Sequence, residues 1–400
     1  MSDRLSRKAR KRTGHAIPLC ALGCLVLWTG ICPLLWGQSA AGNSVTAQQF
    51  TQFIAQGSQA LQQGDNVAAE KAFRQALALA PQSVEILNNL AISLSRQGRV
   101  EEAIATYERA LKLKPGDSIT QRNLGVAYFR AHLYKNALPL LQSFAQTTPT
   151  FQSLDLTGLD FFALDQYRAA ATYLERASRL QPDDLPTLDI LGKAYWRAKN
   201  YSGVTQVFNR IMAINPDSPE AHFMLGLAYD TEYKEEDARK EFQAVLTADP
   251  NYPGVHSSLG LIAWRQHKVQ LALDEFKQEL IRYPNDPVSN YMAGQILRQQ
   301  NEWAQAIPYL EAAIAVNPNY TDALMELGQC HILLNQPREA LKPLKKVIEI
   351  DPSFAQAHFV LGTAFSKLGD TAAAAQERKI CGELDAQAHA KLIHDLAPTH

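Results

Sequence analysis

The sequence is poor in the features that build several common classes of protein. Only Cys330 and Cys381 lie beyond residue 41, too few for a scaffold held together by disulfides. The chain has 39 Lys and Arg against 40 Asp and Glu, so it lacks the positive field that nucleic acid requires. Its glycines do not cluster into a phosphate-binding loop. With 46% apolar and 20% charged residues, the composition is nevertheless that of a globular protein.

The first 41 residues have the layout of a secretory signal or a membrane anchor. Six of residues 4–12 are Arg or Lys, and residues 16–36 are uncharged and mostly apolar. Small residues around Gly37 and Ala41 favour cleavage, whereas a stretch of this length, at about 1.5 Å per residue, nearly spans a bilayer and favours a retained anchor. Lipid attachment at Cys24 is a third alternative. All three predict that residues 42–400 lie outside the cytoplasm, either periplasmic or secreted.

A single period runs through the rest of the chain. Nine prolines follow one another at intervals of 34 residues, with one interval of 33. Proline occurs at about one position in twenty, so this spacing is not chance. A Gly or Ala lies 24 residues before each proline, and a bulky apolar residue lies eight residues before it. An Ala lies twelve residues before every proline but one, where Val204 replaces it. The prolines are Pro81, Pro115, Pro149, Pro182, Pro216, Pro250, Pro284, Pro318 and Pro352.

Each period predicts a helical hairpin. In residues 84–117 the apolar side chains recur at helical spacing on both sides of a polar break at Gln97, Gly98 and Arg99. The small residues allow the two helices to approach closely, the bulky residue fills the space beside the crossing, and the proline ends the second helix. Because one hairpin cannot bury its apolar face alone, the hairpins must stack into a solenoid.

This pattern resembles the tetratricopeptide repeat (TPR) family, whose 34-residue helix-turn-helix unit carries Gly or Ala, Ala, an aromatic residue and Pro at these spacings. The resemblance implies an all-α fold, a right-handed superhelical solenoid of about ten repeats over residues 50–383. Residues 42–49 are then a linker, and residues 384–400 a capping helix and tail into which the tenth repeat continues.

No catalytic constellation or cofactor site is expected, because the signal, the array and the cap use up the chain. His222, His256 and His358 occupy the same position in three repeats, but stacked repeats hold them about 8–10 Å or more apart, too far to share one zinc ion. A packing or surface role is therefore favoured for them. Cys330 and Cys381 are expected to be buried free thiols, although an oxidising compartment leaves a disulfide open.

The resemblance implies that the first helices line a concave groove, so a ligand is expected there. Twenty residues before successive prolines lie Phe129, Phe162 and Trp196, and later Trp264. Arginines and amides stand beside this row, and the predicted binding residues are Asn88, Asn89, Arg96, Arg122, Asn123, Phe129, Arg130, Phe162, Trp196, Arg197, Trp264 and Arg265. Aromatic platforms beside arginines suit an extended peptide with apolar anchors and carboxylates. The alternative is that the aromatics pack between repeats and the arginines form a solvated rim.

Three hypotheses about function follow. The first is a non-enzymatic scaffold outside the cytoplasm that binds a protein or peptide partner, and not nucleic acid. The second is a subunit tethered to the membrane through residues 16–36 that organises an envelope assembly or secretion complex. The third is an accessory subunit of an enzyme such as a glycosyltransferase, which would need a partner chain for activity. The lysines of a chaperone-tail clamp are missing, because Ile54, Asn88 and Arg122 occupy the comparable row.

Overall fold

The structure, a computed structural model, describes residues 42–396, with side chains for residues 47–389. The predicted signal or anchor in residues 1–41 lies outside the described residues. Within them the chain forms twenty helices, which pair into ten successive hairpins, and residues 42–396 contain no strand. The predicted all-α repeat fold is confirmed.

The chain divides into two compact units at residue 216, and each contains five hairpins. The first unit contains α1 Gly42–Gln63, α2 Asn66–Leu79, α3 Val84–Arg96, α4 Val100–Leu113, α5 Ser118–Arg130, α6 Tyr134–Thr147, α7 Phe151–Ala163, α8 Tyr167–Leu180, α9 Leu185–Arg197 and α10 Tyr201–Ile214. The second contains α11 Pro219–Thr231, α12 Glu235–Ala248, α13 Val255–Arg265, α14 Val269–Arg282, α15 Pro287–Gln299, α16 Trp303–Val316, α17 Thr321–Leu333, α18 Pro337–Ile350, α19 Ala355–Lys367 and α20 Thr371–Leu396.

The helix boundaries follow from local chemistry. Asp117 precedes α5, and its side chain accepts a hydrogen bond from the Thr120 amide at 3.0 Å, which satisfies one of the free N–H groups of the first turn. Helix α4 ends at Leu113, where Lys114 leaves the helical region immediately before Pro115. Proline disfavours a helical predecessor and lacks an amide hydrogen, so the second helix stops at the predicted position.

In eight of the ten hairpins the crossing brings the glycine of the repeated pattern against the bulky apolar residue of the second helix. A Cβ atom added at Gly260 would lie 2.7 Å from Phe276 Cε1, and one at Gly328 would lie 2.6 Å from Leu344. Phe276 and Leu344 are fully buried. The glycines therefore provide the space into which the large side chains pack, as the spacing predicted.

In the fifth hairpin Val204 replaces the alanine of the repeated pattern, and the glycine before it provides the space between the helices. Val204 is fully buried. Gly203 lies so close to Tyr195 that a Cβ there would be 2.7 Å from Tyr195 Cγ. The missing small residue is thus supplied one position earlier in the sequence.

The array differs from the predicted boundaries at its start, because residues 42–49, predicted to be a linker, form the beginning of α1. At the other end, the second helix of the tenth hairpin and the capping helix into which it was predicted to continue form one helix, α20. The one-residue deletion between Pro149 and Pro182 falls in the loop between α6 and α7, where residues 148–150 replace the four-residue connection found between α4 and α5.

Within each unit, first helices contact one another as well as their own second helices. In the first unit α3 contacts α1 and α5, and α9 contacts α7. In the second unit α17 contacts α15 and α19. We call the surface formed by the odd-numbered helices of one unit its first-helix face.

None of the helices within residues 42–396 has both the length and the apolar character needed to cross a bilayer.

Candidate functional site

Three aromatic side chains occupy equivalent positions near the ends of α5, α7 and α9 in the first unit. Each is half-buried, and each makes an edge-to-face contact with the tyrosine that begins the second helix of its own hairpin. The pairs are Phe129 with Tyr134 at a centroid distance of 5.7 Å, Phe162 with Tyr167 at 5.5 Å, and Trp196 with Tyr201 at 5.4 Å. One edge of each ring is thus fixed by its own hairpin, while part of its surface remains open to solvent.

The predicted arginines make contacts between successive hairpins. Arg96 donates to the backbone oxygen of Leu61 at 2.9 Å, and Arg130 donates to Ser95 Oγ at 3.3 Å. Arg197 lies 4.8 Å above the ring of Tyr167 and donates to its hydroxyl at 2.7 Å. Each arginine reaches back to the preceding hairpin, so these cations stabilise the stacking of the first-helix face.

The predicted amides and Arg122 divide into buried and accessible groups. Asn88 is buried and donates to Thr120 Oγ1 at 2.6 Å, which links α3 to α5. Arg122 is half-buried, lies 5.6 Å from the Phe144 ring centroid and donates to Asn123 Oδ1 at 3.3 Å. Asn89 is half-buried on the same helix as Asn88. Asn88 therefore has a role in packing, whereas Asn89, Arg122 and Asn123 retain exposed surface.

The two predicted residues of the second unit lie at the end of α13. Trp264 is half-buried and, like Val269, packs against the apolar cluster that contains Ala263 and Ala272. Arg265 forms ion pairs with Asp230 and, at 3.4 Å, with Glu235. Burial raises the pKa of Asp230 even though Arg265 opposes that shift. This arginine follows the pattern of the first unit, since it too reaches back to the preceding hairpin.

The three histidines at equivalent positions each pair with a glutamate of their own hairpin, an interaction that the sequence analysis missed. The Nδ1 to Oε2 distances are 2.6 Å for His222 and Glu241, 2.7 Å for His256 and Glu275, and 2.6 Å for His358 and Glu377. A signal was present in the sequence, because the residue nineteen positions after each of these histidines is Glu, whereas the other hairpins have no Glu there.

His358 makes two contacts with acceptors. Its Nδ1 faces Glu377, and its Nε2 lies 3.1 Å from the backbone oxygen of Pro352. The two contacts hold this buried ring between the second helix of its own hairpin and the loop before α19.

The described residues contain no arrangement suited to metal binding or to thiol chemistry. No group of three or more His, Cys, Asp or Glu side chains between residues 47 and 389 is placed to hold a metal ion. Cys330 is buried and Cys381 is half-buried, and both are free. Burial raises the pKa of Cys330 to about 12, so its thiol is a poor nucleophile.

One cleft of about 220 Å³ lies in the second unit between the loop after α12 and the end of α14. It is lined by His256 and Glu279 among others, and Tyr283 closes one side by donating to the backbone oxygen of Asn251 at 2.6 Å. Pockets for organic ligands usually enclose about 300–1,000 Å³, so this cleft is small for such a ligand.

The tetratricopeptide repeat model matches residues 54–118, 156–219, 191–253, 234–287 and 291–353, which together exceed half of the chain. The chain belongs to the tetratricopeptide repeat family. The TPR hairpins within these matched ranges correspond to repeats of that family, and proteins with this fold generally act as scaffolds for interactions with other proteins.

Two solved structures resemble part of this TPR chain at low sequence identity. YrrB, a TPR protein with an unusual peptide-binding site, is 21% identical over 46% of this chain and 97% of its own, with a TM-score of 0.43. PilF of Pseudomonas aeruginosa is 19% identical over 48% of this chain and 87% of its own, with a TM-score of 0.42.

A curated human protein, protein O-mannosyl-transferase TMTC2, matches a short part of the chain. The two are 49% identical over 59 residues, which is 15% of this chain and 7% of the human protein. The chain thus spans only a small fraction of that relative.

Proposed function

We propose that this TPR chain is a non-enzymatic scaffold that binds an extended polypeptide along the first-helix face of its first unit, outside the cytoplasm. The observation that carries the proposal is the row Phe129, Phe162 and Trp196, three half-buried rings at equivalent positions on alternate helices. Aromatic side chains fixed by a neighbouring ring bind with little loss of conformational freedom, which suits them as anchors for a peptide.

The experiment compares selection from a displayed peptide library by the wild-type chain and by Phe162→Ala and Trp196→Ala. Tyr233→Ala serves as the matched control, because it removes an aromatic ring that is 80% exposed at a hairpin turn away from the row. Support requires that selected peptides bind the control as tightly as wild type and the row variants at least tenfold more weakly. Equal binding by all variants would show that the peptides do not bind at the aromatic row, and the proposed binding groove would be wrong.

The location and the membrane tether rest on residues 1–41. A positive head followed by residues 16–36 supports export, and the length of the apolar stretch supports a second candidate, a tethered subunit of an envelope complex. N-terminal sequencing of the mature protein separates them: a start near Gln38 or Gly42 rejects the tether, and a start at Met1 or Ser2 rejects cleavage.

The short match to a human mannosyltransferase supports a third candidate, an accessory subunit of a glycosyltransferase. Under that candidate the purified chain has no transferase activity alone, and a transferase co-purifies with it in a fixed ratio. Co-purification without any transferase would favour the scaffold.

A further inference from the structure

The row of arginines that joins successive hairpins of the first unit is interrupted at one junction. Arg96, Arg130 and Arg197 each follow the aromatic-row position of their hairpin and contact the hairpin before. In the fourth hairpin the residue in this register is Ala163, at the end of α7. A methyl group cannot make the contact that a guanidinium makes at the neighbouring junctions.

The aromatic partner of such an arginine is nevertheless in place. At the next junction, Arg197 lies over Tyr167, which is the edge-to-face partner of Phe162. Tyr134 stands in the same register of the third hairpin and makes the same contact with Phe129, at 5.7 Å and an interplanar angle of 65°. Tyr134 also contacts His132, with its hydroxyl 2.6 Å from His132 Nδ1 and the two rings edge-to-face at 5.7 Å. Tyr134 is half-buried, so only the rest of its surface is accessible.

A carboxylate lies one helical turn before Ala163. Asp160 has no exposed surface, and neither of its carboxylate oxygens has a hydrogen-bond partner among the described residues. The second, third and fifth hairpins place Ser93, Ala127 and Ala194 at this position. Helix α6, which begins at Tyr134, packs against α7, which carries Asp160. Burial, and after it the charge of Asp160, raise the pKa of Tyr134. A buried charge without a partner is costly, and a cation brought beside it removes that cost.

Two further features of α7 and its surroundings agree with a cationic occupant. The loop before α7 is one residue shorter than the equivalent loop between α4 and α5. The short loop, the missing arginine and the buried carboxylate therefore all occur at the same junction. Asp155 lies at the position that Arg122 takes in the third hairpin, and it accepts from Thr187 Oγ1 at 2.9 Å. The charge on this part of the first-helix face therefore changes from basic to acidic at the same junction.

We propose that the junction between the third and fourth hairpins is a slot for an arginine side chain of a bound polypeptide, with Asp160 as the counter-charge and Tyr134 as the stacking surface. The guanidinium takes the place, between Ala163 and Tyr134, that Arg197 takes above Tyr167. Arginine fits better than lysine, because a planar guanidinium stacks flat on an aromatic ring.

The proposal deepens the proposed function, on which it rests, and it changes the expected chemistry of the ligand. The arginines of the row are engaged by the preceding hairpins, whereas the carboxylate of Asp160 has no hydrogen-bond partner among the described residues. A partner segment with a basic side chain is therefore favoured over the acidic segment that the arginine row alone suggested.

The test uses the full-length protein and two probes, N-acetyl-arginine amide and N-acetyl-citrulline amide, which have nearly the same shape but differ in charge. A ligand that binds only the folded state raises the melting temperature with concentration. We expect the arginine probe to raise it and the citrulline probe to leave it unchanged. An equal response to both probes would overturn the slot.

Two variants and a control locate the response. Asp160→Asn keeps the shape of the side chain and removes its charge, and Ala163→Arg fills the slot from within, so both should abolish the response to the arginine probe. Asp183→Asn removes one negative charge from an exposed loop of the same unit and should leave the response intact. A response that persists in Asp160→Asn would show that the probe binds elsewhere.

Peptides separate this proposal from the proposed function. A library-selected peptide that contains arginine should bind roughly tenfold or more tightly than its citrulline version. If selected peptides bind the aromatic row with no dependence on arginine, the function stands and the slot is wrong. If the arginine probe responds as expected while no peptide depends on Phe162 or Trp196, the slot stands and the groove assignment is wrong.

Discussion

The ring of Phe242 packs directly against the backbone of Gly226, so it occupies the space that a side chain at position 226 would need in the sixth hairpin. A Cβ atom at Gly226 would lie 2.6 Å from Phe242 Cε1, and the ring is fully buried. We expect Gly226→Ala to lower the free energy of unfolding by about 1–3 kcal/mol, because the overpacked ring must move. The urea midpoint, followed by helical circular dichroism, measures this change.

Gly382 provides the matched control for that substitution. It lies in α20, it is exposed, and a Cβ there would meet nothing within 4 Å. Gly382→Ala should therefore raise the free energy of unfolding, by up to about 1 kcal/mol, because alanine loses less backbone entropy in a helix. If both variants shifted the urea midpoint in the same direction, helix propensity rather than the close approach to Phe242 would explain Gly226.

The pair of His256 and Glu275 makes stability depend on pH. The hydrogen bond to Glu275 is the main cause that raises the pKa of His256, with smaller contributions from the charges of Glu275 and Glu279, while desolvation opposes the shift. A histidine whose folded pKa is raised stabilises the fold fully below its unfolded value of about 6.5, and that contribution is lost as pH rises through the folded pKa.

We therefore expect His256→Gln to lower the free energy of unfolding more at pH 5.5 than at pH 8.5. Urea midpoints of wild type and variant at both pH values give the difference. His389→Gln, which changes an exposed histidine of α20, should show no such dependence. An equal loss at both pH values would mean that the neutral ring, and not the ion pair, supplies the stability.

Tyr233 occupies a hairpin turn in a backbone conformation that side chains disfavour. Its φ is 58° and its side chain is 80% exposed, so little packing offsets the strain. Tyr233→Gly should raise the free energy of unfolding by up to about 1 kcal/mol, measured as a shift in the urea midpoint. Gly98→Ala makes the reverse change in an equivalent turn with φ 79°, where nothing lies within 4 Å of an added Cβ, and should lower it by a similar amount.

The sequence predicted the hairpins that recur along the chain, but it did not predict the contacts that are specific to single hairpins. The difference has a physical cause. Period and residue size predicted the hairpins, because the close approach of two helices demands a small residue opposite a large one at fixed spacing. Period and residue size do not predict the contact partners of the individual site residues. Whether Arg197 faces solvent or Tyr167 depends on a contact between hairpins thirty residues apart, which no local pattern specifies.

Glu279 illustrates the same limit in the second unit. It occupies a position that holds Ala76 or Ala313 in other hairpins, and it is buried. Its carboxylate accepts from the Gly254 amide at 2.8 Å and the Ser257 amide at 3.3 Å, so it caps the start of α13 from a neighbouring helix. The glycine that precedes α13 has no side chain to do so. A helix cap that is supplied by the side chain of another helix can be recognised only from the three-dimensional structure.

Asp160 should lower stability in the absence of a ligand. Burial raises its pKa to about 7. A carboxyl group with a raised folded pKa disfavours folding increasingly as pH rises from its unfolded value of about 3.9, and the full cost is present above the folded pKa. We therefore expect Asp160→Ala to raise the free energy of unfolding by about 1–3 kcal/mol at pH 8 and by less at pH 4.

Urea midpoints at the two pH values measure the effect, and Asp183→Ala, in an exposed loop, should change neither by a comparable amount. A buried group that lowers stability at neutral pH is retained more easily if it serves binding, since the charge that costs free energy in the unliganded protein attracts the cation in the complex. If Asp160→Ala were less stable than wild type at pH 8, the carboxylate would already have a partner within the fold, and the arginine slot would lose its counter-charge.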